Sequence, residues 1–254
     1  MTANKQRIVV KVGTSTLTHN SGALALWSME HLVRTLADLQ GMGHEVILVS
    51  SGAIAVGTAK LGLSERPKEL RMKQAAAAVG QCRMMHIYDK FFSEYNRSMA
   101  QILLTGDDVE DPERAEHLSN TFSALLEMGV IPVVNENDSV SSAEIETGRH
   151  KVLGDNDTLS AIVAELCRAD LLVLLSDIDG LYDADPKTHP EAKLLHQVTE
   201  LTPEILEMAG GAGSWRGTGG MATKLSAARI AMEAGCDMVI TNGKRMEDLY
   251  GIAE

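Results

Sequence analysis

IVVKVGTST, residues 8–16, is an apolar run with one cation inside it, closed by a glycine and three hydroxyl side chains. Valine and isoleucine at this density read as a strand covered on both faces, and Lys11 within it is a charge that packing alone does not explain. Five more runs rich in Val, Ile and Leu follow, at 45–49, 100–104, 130–134, 171–175 and 238–241. Helical patterns lie between them. Met29, Leu32, Val33 and Leu36 form a stripe that stops at Gly41 and Gly43; Pro67 opens a long segment reaching about Tyr95, and Pro112 opens another that ends near Gly129. The order predicts an α/β fold with a mainly parallel central sheet sandwiched between helices in three αβα layers, joined by right-handed crossovers.

Every strand is followed by a polar turn: KVGTST after the first, then SSGA, TGDD, NENDS, SDIDG and NG. In a parallel sheet these turns emerge at one edge, where such folds bind ligands, so they are expected to share a cleft. Polar turns are common in any α/β protein, but that does not account for a lysine in an apolar strand or for paired Asn and Asp in successive loops.

GTGGMATK, residues 217–224, stands directly before an amphipathic helix whose apolar positions are Leu225, Ala228, Ile230, Ala231 and Met232. Glycines that free backbone N–H groups, a helix N-terminus and Lys224 in the first turn make an anion cradle, with phosphate as the guest. A Walker loop is excluded because Thr223, not glycine, precedes the lysine; a dinucleotide fingerprint is excluded because EMAGGAGSWR before it is no strand.

The chain has 254 residues, 44% hydrophobic and 23% charged, as in an ordinary globular protein, and a formal net charge of -12. That charge repels nucleic acid and anionic membrane, so any phosphate must be held by local donors. A polar N-terminus and the absence of a membrane-length apolar run point to the cytoplasm. Cys82, Cys167 and Cys236 have no redox or metal spacing and are expected as reduced core residues; eight histidines form no H-x-x-x-H pair, so no metal site is expected. SAEIETGRHKVL, 142–153, breaks the alternation and reads as a hairpin around Thr147-Gly148; GDND then leads into a helix that Asp157 or Thr158 is expected to cap. That leaves Asp155 and Asn156 unexplained.

Two separated lysines, a glycine-rich anion loop and several Asn and Asp side chains suit phosphoryl transfer, which needs positioning and charge neutralisation. KVGTST, VSSGAIAVG, AAVGQ, NENDSV, GDNDTLSA, LLSDIDGLYDADP and GTGGMATK, in this order, resemble the amino acid kinase family, and within it the glutamate 5-kinases. The resemblance implies ATP-dependent phosphorylation of the γ-carboxylate of L-glutamate, the first step of proline synthesis, with Mg²⁺ accompanying ATP. It places Lys11 and Lys224 on the transferring phosphoryl group, with Lys11 also counted among the nucleotide contacts, and Asp157 as the residue orienting the lysines. It places Ser51, Asp138 and Asn156 on glutamate, with the acid suited to the α-ammonium and the amide to the α-carboxylate. Ser176, Asp177, Thr218, Gly219, Gly220, Met221, Ala222, Thr223 and Lys224 fall to the nucleotide.

It further implies a single domain over 1–254, with a glutamate lobe at about 1–169 carrying hairpin 139–155 and a nucleotide lobe at 170–254. Proline is implied as an inhibitor, and a homodimer or tetramer as the assembly; Met84, Met85 and Phe91 are read as core residues before partner contacts. Two departures from the family pattern stand out: the hairpin is longer, and the PUA domain that many members carry is not expected here. Three alternatives remain open. One is a relative of the acetylglutamate kinase or aspartokinase type, and another is an amino-acid sensor without catalysis. The third is a dehalogenase-type phosphatase using Asp177 and Asp179 of SDIDG.

Overall fold

A computed structural model describes residues 5–140, 155–186, 188–208 and 220–254. Strands β1 (Arg7–Val12), β2 (Glu45–Val49), β3 (Met99–Leu104), β4 (Ile131–Glu136) and β5 (Leu171–Ser176) each lie within two residues of the predicted run. Beyond them, β6 (Leu181–Tyr182) and β7 (Leu194–Leu195) form a small antiparallel pair, and β8 (Asp237–Asn242) completes the main sheet. That sheet has six strands in the order β3-β4-β2-β1-β5-β8, all parallel, so the run that carries Lys11 is central.

Period-two alternation divides the two faces. Ile8, Val10 and Val12 of β1 point to a core formed with α2 (Leu26–Gly41) and α4 (Leu70–Glu94), through Met29, Leu32, Leu36, Met84, Tyr88 and Phe92. α1 (Thr14–Leu17) and α10 (Asp248–Ile252) add Leu17 and Leu249 to it. Val9 points the other way, with Ile47, Val49, Leu172 and Leu174, against α6 (Pro112–Glu127), α7 (Asn156–Cys167) and α9 (Met221–Glu233). Lys11 has the parity of Val9, so it points to the face where α7 and α9 begin.

The helices start where local chemistry sets them. Asp111 caps α6 by accepting from the N–H groups of Glu113 and Arg114, with Pro112 at the first helical position. α5 (Gly106–Glu110) carries a capping box between Thr105 and Asp108, and α8 (Pro203–Met208) is a single short helix. α3 (Ala53–Lys60) was not foreseen: it follows Ser50-Ser51-Gly52, where Gly52 adopts φ +97. α3 packs on α4 with nothing between the backbones. A Cβ on Gly57 would stand 1.7 Å from the carbonyl oxygen of Ala76, and one on Gly80 would stand 1.8 Å from that of Ala53.

Three expectations need correction. The long helix begins at Leu70, not Pro67, because Glu69 is extended and serves as the N-cap. Cys82 is exposed on α4, whereas Cys167 and Cys236 are buried as expected. Ile230 is only partly buried and Met232 is exposed, so the buried apolar residues of α9 are Leu225, Ala227, Ala228 and Ala231. Met84 and Met85 are core residues, and Phe91 packs against that core. The predicted hairpin lies outside the described residues, apart from its two ends. Among the described residues no helix is long and apolar enough to cross a membrane.

Candidate functional site

The carboxyl ends of β1, β2, β4 and β5 open into a cleft of about 490 Å³. Lys11, Ser51, Asp138, Asn156, Ser176, Asp177 and Lys224 all line it, so seven of the residues singled out from sequence converge there. Thr218 and Gly219 lie outside the described residues. Gly220, Met221, Ala222 and Thr223 sit at the start of α9, beside Lys224. Asp177 faces the cleft, but Asp179 does not; it accepts from Asn242 Nδ2 at 2.8 Å and pairs with Arg245 at 3.3 Å. The two acids of the phosphatase alternative are therefore not brought to one site.

Asp157 does not itself line the cleft but lies buried beneath it, under Lys11 and Lys224. The N-cap of α7 is Asp155, not Asp157 or Thr158: Asp155 Oδ1 accepts from the N–H groups of Asp157 and Thr158 at 2.8 and 2.9 Å. That cap frees the side chain of Asp157 in the first turn, where it is 1% exposed and lies between two ammonium groups. Lys11 Nζ is 2.7 Å from Oδ1, and Lys224 Nζ is 3.0 Å from Oδ2. The Thr223 hydroxyl lies 2.8 Å from Oδ2 as well. Burial pushes the Asp157 carboxyl up, but the charges of Lys11 and Lys224 and their hydrogen bonds outweigh it and hold the group below the usual carboxylate range. Two ammonium groups thus share one carboxylate beside the α9 N-terminus, whose N-cap Gly220 makes no side-chain cap.

The other wall is polar and partly acidic. Ser51 Oγ donates to the carbonyl of Val12 at 2.9 Å and anchors the β2–α3 turn to β1. Asp138 is pushed up to about 6, first by burial and then by Glu136, with Arg66 pulling the other way. α3 begins at the cleft without a side-chain cap, so Gly52, Ala53 and Ile54 present backbone there.

The sequence model of the amino acid kinase family matches residues 6–242. The chain belongs to the amino acid kinase family. It is 55% identical over 249 residues to a glutamate 5-kinase from Clostridium perfringens, covering 98% of this chain and 92% of that one. It is 54% identical to a glutamate 5-kinase from Clostridium acetobutylicum, covering 98% and 91%. A carbamate kinase from Giardia lamblia bound to AMP-PNP superposes with a TM-score of 0.66 at 14% identity, over 100% of this chain and 97% of that one, which shows a shared fold.

Within this amino acid kinase site, several lining residues had not been singled out. Arg66 comes from the α3–α4 connection, where ERPK carries no motif; Thr14 and Ser15 were visible only as part of KVGTST. Asn135 stands in NENDS, yet it is 2% exposed and its position behind Asn156 depends on the β2–β4 pairing.

Proposed function

We propose that this chain transfers the γ-phosphoryl group of ATP to the γ-carboxylate of L-glutamate, giving L-glutamyl 5-phosphate for proline synthesis. The observation that carries the chemistry is the Lys11–Asp157–Lys224 arrangement at the cleft floor, and similarity to glutamate 5-kinases carries the substrate. The γ-carboxylate has a pKa of about 4.3 and is already ionised near neutral pH, so no general base is needed. A carboxylate oxygen bonds to the γ-phosphorus, the bond from that phosphorus to the β,γ-bridging oxygen breaks, and ADP leaves with the electron pair. Lys11 and Lys224 neutralise charge on the moving group; Asp157 keeps both ammonium groups aimed without reacting.

Ser176, Asp177 and the start of α9, at the β5 side, are assigned to the nucleotide in a lobe from about residue 170. Ser51, Asp138 and Asn156, at the β2 and β4 side, are assigned to glutamate in the lobe before it, whose α-carboxylate the open N-terminus of α3 suits. Among the described residues no three His, Cys, Asp or Glu side chains are grouped to hold a metal. Mg²⁺ would therefore be held mainly by the nucleotide phosphates and water, adding positive charge there. A cytoplasmic location and a dimeric or tetrameric assembly accompany this reading. Incubation with ATP, Mg²⁺, glutamate and hydroxylamine is expected to give γ-glutamyl hydroxamate. Faster reaction with aspartate or N-acetylglutamate would overturn the substrate, and ATP hydrolysis with no acceptor dependence would overturn the kinase reading.

Asp138 gives this reading a pH signature. Its carboxyl titrates at about 6 without ligand, and only the ionised form pairs with an ammonium. The KM for glutamate is expected to rise as pH falls through about 6 in the wild type, and to be high and flat over that range in Asp138→Asn. Proline shares the α-carboxylate and charged nitrogen of glutamate but lacks the nucleophile, so it is proposed to compete at the same partners. Its inhibition is expected to weaken in parallel in Asp138→Asn; inhibition preserved in that variant and unrelieved by glutamate would place proline elsewhere.

A further inference from the structure

Three amides run in a line from α4 to the cleft, and one backbone carbonyl sets their orientation. Asn156 Nδ2 lies 2.6 Å from the carbonyl oxygen of Ser50 and 3.3 Å from Asn135 Oδ1; Asn135 Nδ2 lies 2.9 Å from Gln81 Oε1. A carbonyl oxygen only accepts, so the Asn156 atom facing Ser50 must be its nitrogen. The Asn135 atom facing that nitrogen must then be oxygen, its own nitrogen must face Gln81, and Gln81 must answer with its oxygen. Ser50 is itself fixed, since its N–H donates to the Val134 carbonyl at 2.8 Å and its hydroxyl is 3.0 Å from that of Tyr88. Both hydrogens of Asn156 Nδ2 are thus directed inward. What Asn156 turns to the cleft is Oδ1, an acceptor.

We infer that Gln81 is a positioning residue which, through Asn135, holds Asn156 with Oδ1 toward the α-ammonium of the substrate, so that Asn156 and Asp138 together select a free, charged amino group. The inference rests on the glutamate reading, and it reverses the sequence expectation that the amide serves the α-carboxylate. An amide whose donors are spent cannot bond a carboxylate, whereas the α3 N-terminus can. A second observation singles out Gln81. It is 7% exposed and is the one amide among the buried side chains of α4, and its Nε2 is buried with no hydrogen-bond partner among the described residues. An unpaired buried donor is unfavourable, and a side chain kept only for volume would not carry one. The acceptor oxygen on the same amide accounts for its presence.

The test compares wild type, Gln81→Met and Gln81→Glu, the last keeping an oxygen at the accepting position. Gln81→Met is expected to raise the KM for glutamate about 10-fold, the low end for a hydrogen bond to a charged group. Its KM for ATP, its kcat at saturating glutamate and its Tm are expected to hold, and Gln81→Glu to recover most of the loss. Competitive binding of two analogues gives the direction: glutarate lacks the amino group, and 4-aminobutyrate lacks the α-carboxylate. Gln81→Met is expected to weaken 4-aminobutyrate as it weakens glutamate and to leave glutarate unchanged. Glutarate weakened and 4-aminobutyrate spared would overturn the inference, as would all ligands, ATP and Tm falling together. A wild type that makes no γ-glutamyl hydroxamate overturns the glutamate reading itself; an active wild type beside an unchanged Gln81→Met overturns the relay alone.

Discussion

Lys11→Ala is expected to lower kcat by about 10²- to 10³-fold while the KM for glutamate changes little, because charge on the phosphoryl group changes most in the transition state. The lysine is placed for this by strand parity. Val10 and Val12 point into one core and Lys11 points to the opposite face, at the last turn of the ladder before the cleft. Lys224→Ala is expected to give a loss of the same order, since its ammonium shares the Asp157 carboxylate. Steady-state kinetics separates two roles for it. A raised KM for ATP with kcat preserved would make Lys224 a nucleotide anchor and remove it from the reacting set.

Asp157→Asn is expected to cost both activity and stability. The carboxylate is almost fully buried between Lys11 and Lys224, and removing its charge takes away the counterion that the two ammonium groups share. Breaking a buried ion pair by deleting one partner typically costs about 3–5 kcal/mol, which would show as a lower denaturant midpoint. Asp157→Asn combined with Lys224→Met is expected to recover part of that stability and none of the activity. Full stability in Asp157→Asn would show that the triad does not hold the fold. The sign with pH follows from the depressed carboxyl. Its contribution is complete above about pH 4, the ordinary carboxylate value, and is lost as pH falls through the lower folded-state value. The stability difference between wild type and Asp157→Asn should therefore shrink in acid.

The sheet was readable because buried parallel strands are written as unbroken Val, Ile and Leu runs, and each of the six runs became a strand of the main sheet. α3 was not readable. AIAVGTAK is seven small or apolar residues followed by Lys60, with no alternation of apolar and polar faces, so nothing in its periodicity separates it from the SSGA turn before it. The α7 boundary was misplaced because Asp155, Asn156 and Asp157 are adjacent and chemically able to cap; only the bonds from Asp155 decide which does, and the decision frees Asp157 for the lysines. Gln81 lies in AAVGQ, one of the stretches that carry the resemblance, yet the sequence attaches no role to it. Its burial and its bond to Asn135 depend on how α4 packs on the sheet, which no local pattern encodes.

The strand order also governs how the chain must assemble. β1 pairs with β2 some 40 residues downstream, but its other edge waits for β5, in the register Ile8↔Leu171. At a synthesis rate of about 5–20 residues per second, the interval between β2 and β5 leaving the ribosome is on the order of 6–25 s. Throughout it, an apolar edge of a growing parallel sheet is open to strands of other chains, the condition under which slow-folding sheets aggregate. A charge on an edge strand discourages such pairing, and Lys11 is the one charge within the otherwise apolar run 8–12. The side chain assigned to the phosphoryl group thus guards that edge before Asp157, on the helix leading to β5, has been made.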